Sequence, residues 1–487
     1  MNDNETEILA AVLDEFAKLA AIPRPSGHEE AVSNFLRDYL TKAGFAVTQD
    51  AHYNIIADKP ATEGFSNVPR TVLQAHMDMV CTAADGVAFN PLTDSIKLVR
   101  DGEYLRADGT SLGADDGIGV AVGIYALKNF AKHGPLRLIV TTGEETGMGG
   151  AALLEDKYLL DAAYLINCDS ENLDELIVGC AGGAEINFSR RISWQIPQKK
   201  TAWRLEVTGL KGGHSGERIG DGRGNALNIL AGVLNSIDAV AGTELASIDG
   251  GKALNVIPDY AAAVFTTDAK ESTVRYIVDV RQEHFRDIYG AADPDLEVTL
   301  TAAAMPDDVM DEQDKTAVLR LLYLLPIGVL GMSQTVAGLV ETSANLGTVR
   351  TTRDETKIGY FPRSSLDAML GEFGTKAQLM AQLLGVELNN REPSPAWHEQ
   401  KDSRLARIVS DIFAAQNGKN MRVTAIHAGL ECGYFRRKNK SLDIVSVGVT
   451  TKDIHSPKER LLLSSVVPQV KLIKAALEKI AEEGREA

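Results

Sequence analysis

The first third of the chain alternates short apolar runs with longer stretches of helical spacing, and this order restricts the fold more than any other feature. Strand-length runs stand at "NIIADK", "TVLQAHMDMV", "LRLIVTTGEE" and "AAYLINCDSE". A helix of small residues, "DGIGVAVGIYALKNF", falls between the second and third. Ahead of the first lie "ETEILAAVLDEFAKLAAI" and "SGHEEAVSNFLRDYLTKAG", with Ser26 in the position of a helix cap. Such alternation predicts an α/β domain, in which functional groups gather at the carboxyl ends of strands.

Near residue 186 the pattern changes. Strand, helix, strands, helix and strand, from "TAWRLEVTGL" to "LEVTLTAA", resemble a split βαβ unit, and a weaker copy follows from "KTAVLRLLYLLP" to "SLDAMLGEFGTKAQLMAQLL". The proline-rich "REPSPAW" at 391–397 reads as a return linker, after which "LDIVSVGV" and "VPQVKLIKAALEKIAEE" resume α/β order. The chain is therefore expected to form a mixed-sheet α/β domain from residues 1–185 and 398–487. An α+β insertion at 186–397, built of two ferredoxin-like halves, interrupts it. A length of 487 residues, too great for one ordinary core, agrees with this division.

A formal charge of -17 and the absence of a basic stripe argue against nucleic acid as a partner. No apolar run approaches a membrane span, and "MNDNETEILA" lacks the regions of a signal peptide. Cys81, Cys168, Cys180 and Cys432 show no CxxC spacing, so neither a disulfide framework nor a thiolate zinc site is expected. A reducing cytoplasm fits this chain best.

Polar residues interrupt the strand ends. In "VLQAHMDMVC", His76 and Asp78 lie two apart and share a strand face. Similar interruptions are Asp115 and Asp116 in "GADDG", Glu144 and Glu145 in "TTGEETG", Asp169 in "NCDSE" and His455 in "KDIHSPKE". Taken singly, each has an ordinary explanation: a hydrogen-bonded core histidine, a helix cap, an acidic turn or a solvated loop. Together, carboxylates converging at one sheet edge would repel unless cations neutralised them. Two divalent metals meet that need, and imidazole with carboxylate but no thiolate suits zinc, manganese or cobalt. In a two-metal hydrolase one carboxylate bridges ions about 3.5–4 Å apart while another stays free as a base. Adjacent Glu144 and Glu145 suit that division, and Asp78 suits holding the second ring nitrogen of His76.

In this order HxD, GADDG, GEE, the aspartate of NxDSE and HSP resemble the metal site of the M20 metallopeptidases, over essentially the whole chain. The runs "GLKGGHSGERI", "LNVIP", "RSS", "HAGLECGYF" and "SVGVTTKDIHSPKE" are most similar to the aminoacyl-histidine dipeptidase branch of that family. The resemblance implies two divalent ions per chain, Zn2+ foremost, with Mn2+ or Co2+ as alternatives. Asp115 would bridge them, His76 and Asp169 completing one site, Glu145 and His455 the other. It further implies Glu144 as general base and acid, Asp78 orienting His76, and a cis bond between Asp115 and Asp116. The insertion would act as a lid, with His214 binding the oxyanion and Arg363 clamping the substrate's terminal carboxylate. Asn255 would add a substrate contact, although it also reads as a turn residue before a proline. Cys168 reads as strand packing. In "HAGLECG", Glu431 and His427 line the pocket, or Gly429 and Gly433 simply allow close backbone approach; both readings stand.

The implied activity is hydrolysis of unblocked dipeptides, Xaa-His and β-alanyl-histidine among them, by a metal-activated water that loses its proton to Glu144. The alternatives are an N-acyl amino acid deacylase or carboxypeptidase of the same fold, and a non-catalytic metal- or peptide-binding protein. The long insertion with "HAGLECG" and "SPAW" speaks against the first, and an intact Glu144 against the second. No nucleic-acid or membrane partner is expected. A homodimer is admitted, and the native metal and the assembly state stay open.

Overall fold

The computed structural model describes residues 3–334, 336, 338–400 and 402–486, which divide into two compact units. One runs to Cys180 and takes up Trp397–Ile426 and the chain from Leu430 onward; the other is Ala181–Ala396 with His427–Gly429. The sequence places residues 427–429 with the flanking segments, whereas here they pack with the second unit.

The first unit is built on an eight-stranded mixed sheet. Its order is Ala46–Gln49, Ile55–Lys59, Leu136–Thr141, Arg70–His76, Ala162–Asn167, Asp443–Ser446, Glu175–Cys180 and Arg422–Ile426. The four strands from Leu136–Thr141 to Asp443–Ser446 run parallel, while the first two join antiparallel. Side chains alternate across this sheet as its pleat requires. Leu73, Leu138, Ile166 and Val445 enter one core, and Val72, Ile139, Leu165 and Ile444 enter another on the opposite face. Helix Ala114–Asn129 is buried nearly all round, as a run of Gly, Ala, Val and Ile without a polar face dictates. A small sheet, Leu98–Asp101, Tyr104–Ala107, Arg460–Leu462 and Thr451–Lys452, brackets the loop that carries His455.

One local expectation fails. Helix Glu30–Lys42 begins after Glu29, not Ser26, and no side chain caps it. The hydroxyl of Ser26 donates instead to Asp78 Oδ2 at 2.7 Å.

The second unit contains two βαββαβ halves. Thr201–Thr208, helix Ala226–Ala241, Glu244–Gly250, Ala261–Thr267, helix Glu271–Tyr289 and Glu297–Ala302 form the first. Ile186–Arg191, helix Glu312–Leu324, Val340–Thr351, Glu355–Ser364, helix Asp367–Leu384 and Glu387–Asn390 form the second. In both, the first and third strands lie at the centre, the ferredoxin-like order. The halves join edge to edge where Gly250 pairs with Val349, and all four helices contribute to one core. The second half is discontinuous: its first strand precedes the whole first half. Reading strands in chain order misses this, because Ile186–Arg191 finds its partner, Glu355–Ser364, only after the first half is complete. Among the described residues no helix is long and apolar enough to cross a membrane, and the four cysteines are free thiols.

Candidate metal centre and substrate groups

Parallel pairing brings the polar strand ends of the first unit together. His76 ends its strand opposite Thr141, and Gln74 of that strand pairs with Asn167. The segments leaving these strands carry Glu144 with Glu145 and Asp169. Asp115 stands at the start of helix Ala114–Asn129, and its peptide bond to Asp116 is cis. His455 adopts φ +58°, a left-handed conformation uncommon for a residue with a side chain and concentrated at functional sites.

The carboxylate of Asp115 faces both imidazoles. Its Oδ1 is 3.2 Å from His76 Nε2 and its Oδ2 is 3.0 Å from His455 Nε2. His76 Nε2 also lies 3.5 Å from Asp169 Oδ1, and His455 Nε2 lies 2.9 Å from Glu145 Oε2. Donor atoms of Asp115, Glu145 and His455 all fall within 4.8 Å of one another. Those of His76, Asp116 and Asp169, and of His76, Glu144 and Glu145, do the same. The five expected ligands and the expected base thus converge, and Asp116, given no role in the sequence, joins them.

The electrostatics fit a cation pair. Burial opposes charge on His76, yet Asp169, Asp115 and Asp78 raise its pKa well above the ordinary value. His455 is raised to about 11 by its hydrogen bonds to Asp115 and Glu145. Burial, with Asp169, Glu145 and Glu431, pushes Glu144 well up. Burial also lifts Asp169 to about 6, reinforced by Asp115 and Glu145. Protons on imidazoles and carboxyls thus offset a local excess of negative charge, and divalent cations offset it in the same place. Among the described residues the buried Glu145 Oε1 finds no hydrogen-bond partner, as an oxygen meant for a metal would not. Imidazole and carboxylate donors suit zinc, manganese or cobalt.

Groups from distant segments hold these side chains. Asp78 lies 3.4 Å from His76 Nδ1 and accepts the N–H of Glu144 at 3.1 Å and of Glu145 at 3.3 Å. One carboxylate therefore orients the imidazole and the Glu-Glu turn together. The same turn is gripped by Asn54, which accepts the Thr142 N–H at 3.1 Å, and by Glu29, which accepts that of Gly143 at 3.0 Å. Beneath the strand ends, Glu431 accepts from Gln74 Nε2 at 2.6 Å and Thr141 Oγ1 at 2.7 Å. Asn167 Nδ2 donates to Gln74 Oε1 at 2.6 Å, continuing this chain toward Asp169. Burial lifts Glu431 to about 8. Cys168 packs in the core beside Ile166, and Gly448 lets the backbone of Ser170 approach where a Cβ would lie 1.6 Å from its carbonyl oxygen.

The second unit holds the remaining expected residues. His214 follows Gly213, whose φ of +116° admits little but glycine, in a two-residue strand paired with Val256–Ile257. Buried Asp293 accepts the N–H groups of Lys211 and Gly224 at 2.8 and 2.7 Å, closing the base of the His214 loop. Arg363 Nη2 is 3.4 Å from His214 Nε2, and its guanidinium lies over the Phe361 ring. Arg363 is buried and lowered to about 10 by that burial, and among the described residues no carboxylate pairs with it. Nε2 of His427 is 2.7 Å from Ser343 Oγ, and Ser343 pairs with Arg363 across the sheet. Asn255 is exposed; its carbonyl accepts the Ser215 N–H at 2.8 Å, and Asn345 holds the carbonyls of Leu254 and Val256 on either side.

The sequence profile of peptidase family M20/M25/M40 matches residues 72–479. The chain belongs to this family. It is 34% identical over 456 residues to the cytosol non-specific dipeptidase of Escherichia coli K12, covering 93% of this chain and 94% of that protein. The crystal structure of the aminoacylhistidine dipeptidase from Vibrio alginolyticus superposes with a TM-score of 0.86 at 33% identity, over 96% of each chain. The aminopeptidase PepT of Bacillus cereus, at 17% identity and a TM-score of 0.56 over 97% of this chain and 99% of its own, shares the fold. Family membership accounts for a mixed-sheet α/β metallopeptidase fold with an α+β insertion.

Proposed function

We propose that this chain is a two-metal dipeptidase that hydrolyses unblocked dipeptides, Xaa-His among them. The observation that carries this is its full-length likeness to two dipeptidases at 33–34% identity. By resemblance to the family, Asp115 would be shared by the two ions, with His76 and Asp169 on one and Glu145 and His455 on the other, and the short separations among these side chains support that assignment. The unit of residues 1–180, 397–426 and 430–487 would then be the catalytic domain, and that of 181–396 with 427–429 the inserted substrate domain. The protein acts in the cytoplasm, in keeping with the name of its Escherichia coli relative.

His76, Asp115, Glu145, Asp169 and His455 would hold two divalent ions, which would supply a polarised scissile carbonyl and a water acidic enough to attack at neutral pH. Glu144 takes the proton of that water and returns it to the leaving amine. Asp78 fixes the tautomer of His76 and holds the backbone of Glu144, so the base keeps its place through the proton transfers. His214 donates to the developing oxyanion. Arg363, a buried cation lacking a carboxylate partner among the described residues, pairs bidentately with the terminal carboxylate of the substrate. Asn255 contributes a lesser contact to the same substrate.

A clamp on the carboxylate and an acidic surround for the free amine together select peptides of two residues. Blocking either end leaves a buried group unpaired, so kcat/KM should fall by about 10²-fold or more on N-acetylated or C-amidated dipeptides. Assaying one dipeptide in free, acetylated and amidated forms tests this. Equal rates on all three would refute the clamp, and faster cleavage of the acetylated form would indicate an N-acyl amino acid deacylase instead. Arg363→Ala should raise KM by about 10–10²-fold on the free dipeptide with little change in kcat, the signature of lost substrate binding.

A further inference from the structure

Glu459 is buried, lies four residues after His455, and has no part in the chemistry above. Its carboxylate accepts the N–H groups of four consecutive residues. Oε2 takes Leu112 at 2.7 Å and Gly113 at 2.9 Å; Oε1 takes Ala114 at 2.8 Å and Asp115 at 3.3 Å. These amides open helix Ala114–Asn129, where no intrahelical carbonyl is available to them. A carboxylate is the strongest acceptor a side chain offers there.

The same segment is held from a second direction. Arg24 donates to the carbonyl of Gly113 at 2.5 Å, and to those of Met77 at 2.8 Å and Asp78 at 3.1 Å. Arg24 thereby ties the backbone after His76 to the backbone before Asp115. Glu459 ties the backbone of Asp115 to the loop that carries His455. Each element contributing to the shared carboxylate and its two imidazoles is joined by one of these two side chains.

We propose that Glu459 is a positioning residue that sets the Asp115 carboxylate between His76 and His455, and so governs how tightly the divalent ions are held. The inference rests on the two-metal reading. A carboxylate whose backbone is fixed before the ions arrive loses less freedom on coordinating them, and outer partners of metal ligands typically contribute 10- to 100-fold in affinity. Glutamine at 459 keeps one acceptor oxygen but turns an N–H toward backbone donors, so part of the grip is lost and part becomes repulsive.

The test is competition for Zn2+ between the full chain and a chromophoric chelator. Glu459→Gln should bind Zn2+ about 10–100-fold more weakly, and regain activity with an unaltered KM when excess metal is supplied. Unchanged Zn2+ affinity with only a lower melting temperature would overturn the proposal, leaving Glu459 a merely stabilising residue. Should the variant not fold, deuterium exchange on the unaltered, metal-free chain decides. Peptides spanning 110–118 should be protected before metal is added; rapid exchange that slows only on adding Zn2+ would overturn the proposal. Neither the chelator competition nor the exchange measurement uses a dipeptide, so a wrong substrate assignment would appear separately, as absence of dipeptide cleavage by the unaltered chain.

Discussion

Glu144→Gln is expected to lower kcat by about 10²–10⁴-fold while two divalent ions stay bound to each chain. The amide matches the carboxylate in shape but cannot take a proton, so only the transfer step is removed. The backbone position should survive, because Asp78 holds the N–H of Glu144 and of Glu145 whatever side chain follows. Burial, with Asp169, Glu145 and Glu431, raises the affinity of Glu144 for a proton, which suits a group that must accept one. The competing role is also visible, since donor atoms of Glu144 lie within 4.8 Å of those of His76 and Glu145. Metal analysis of the purified variant separates the two. Loss of an ion would make Glu144 a ligand, and substantial turnover would remove it as the base.

Asp115→Ala should lose both ions together and with them all metal-dependent turnover. His455→Ala, by contrast, should release one ion preferentially. The asymmetry follows from the carboxylate's position, with one oxygen toward His76 and the other toward His455. Removing it takes a donor from both sites and leaves Asp169, Glu144 and Glu145 crowded without the cations that offset them. Elemental analysis after dialysis, with activity measured before and after chelation, checks this. Two ions retained in Asp115→Ala would eliminate the bridging assignment. Activity in the unaltered chain that survives complete chelation would eliminate the metals from the reaction.

The chemical inventory of the site could be read from the chain because its residues interrupt strongly patterned segments. An imidazole and a carboxylate two apart in an apolar strand, or two glutamates directly after another, stand out against a period-two background. Their distribution into ligands, base and orienting group came from resemblance to a family, and the geometry of Asp115 and His455 is consistent with that distribution. Apart from Asp78, the residues that hold the site carry no signal in the sequence. Ser26 was expected to cap a helix and instead donates to Asp78, since nothing local distinguishes a serine that caps from one that reaches a strand end. Glu459, Arg24, Glu29, Asn54 and Asp293 act on backbone amides or carbonyls far away in sequence, and such bonds impose no spacing on the chain.

The order of elements, the two kinds of architecture and the metal-binding character of the strand ends were determined by the sequence alone, because periodicity and side-chain chemistry are local properties. Only the tertiary structure decided that the second ferredoxin-like half begins before the first. It also decided that Asp115 faces two imidazoles, and that four amides beside it share one buried glutamate. Those outcomes depend on which distant segments meet, and a buried donor or acceptor takes whichever partner folding brings within about 3 Å.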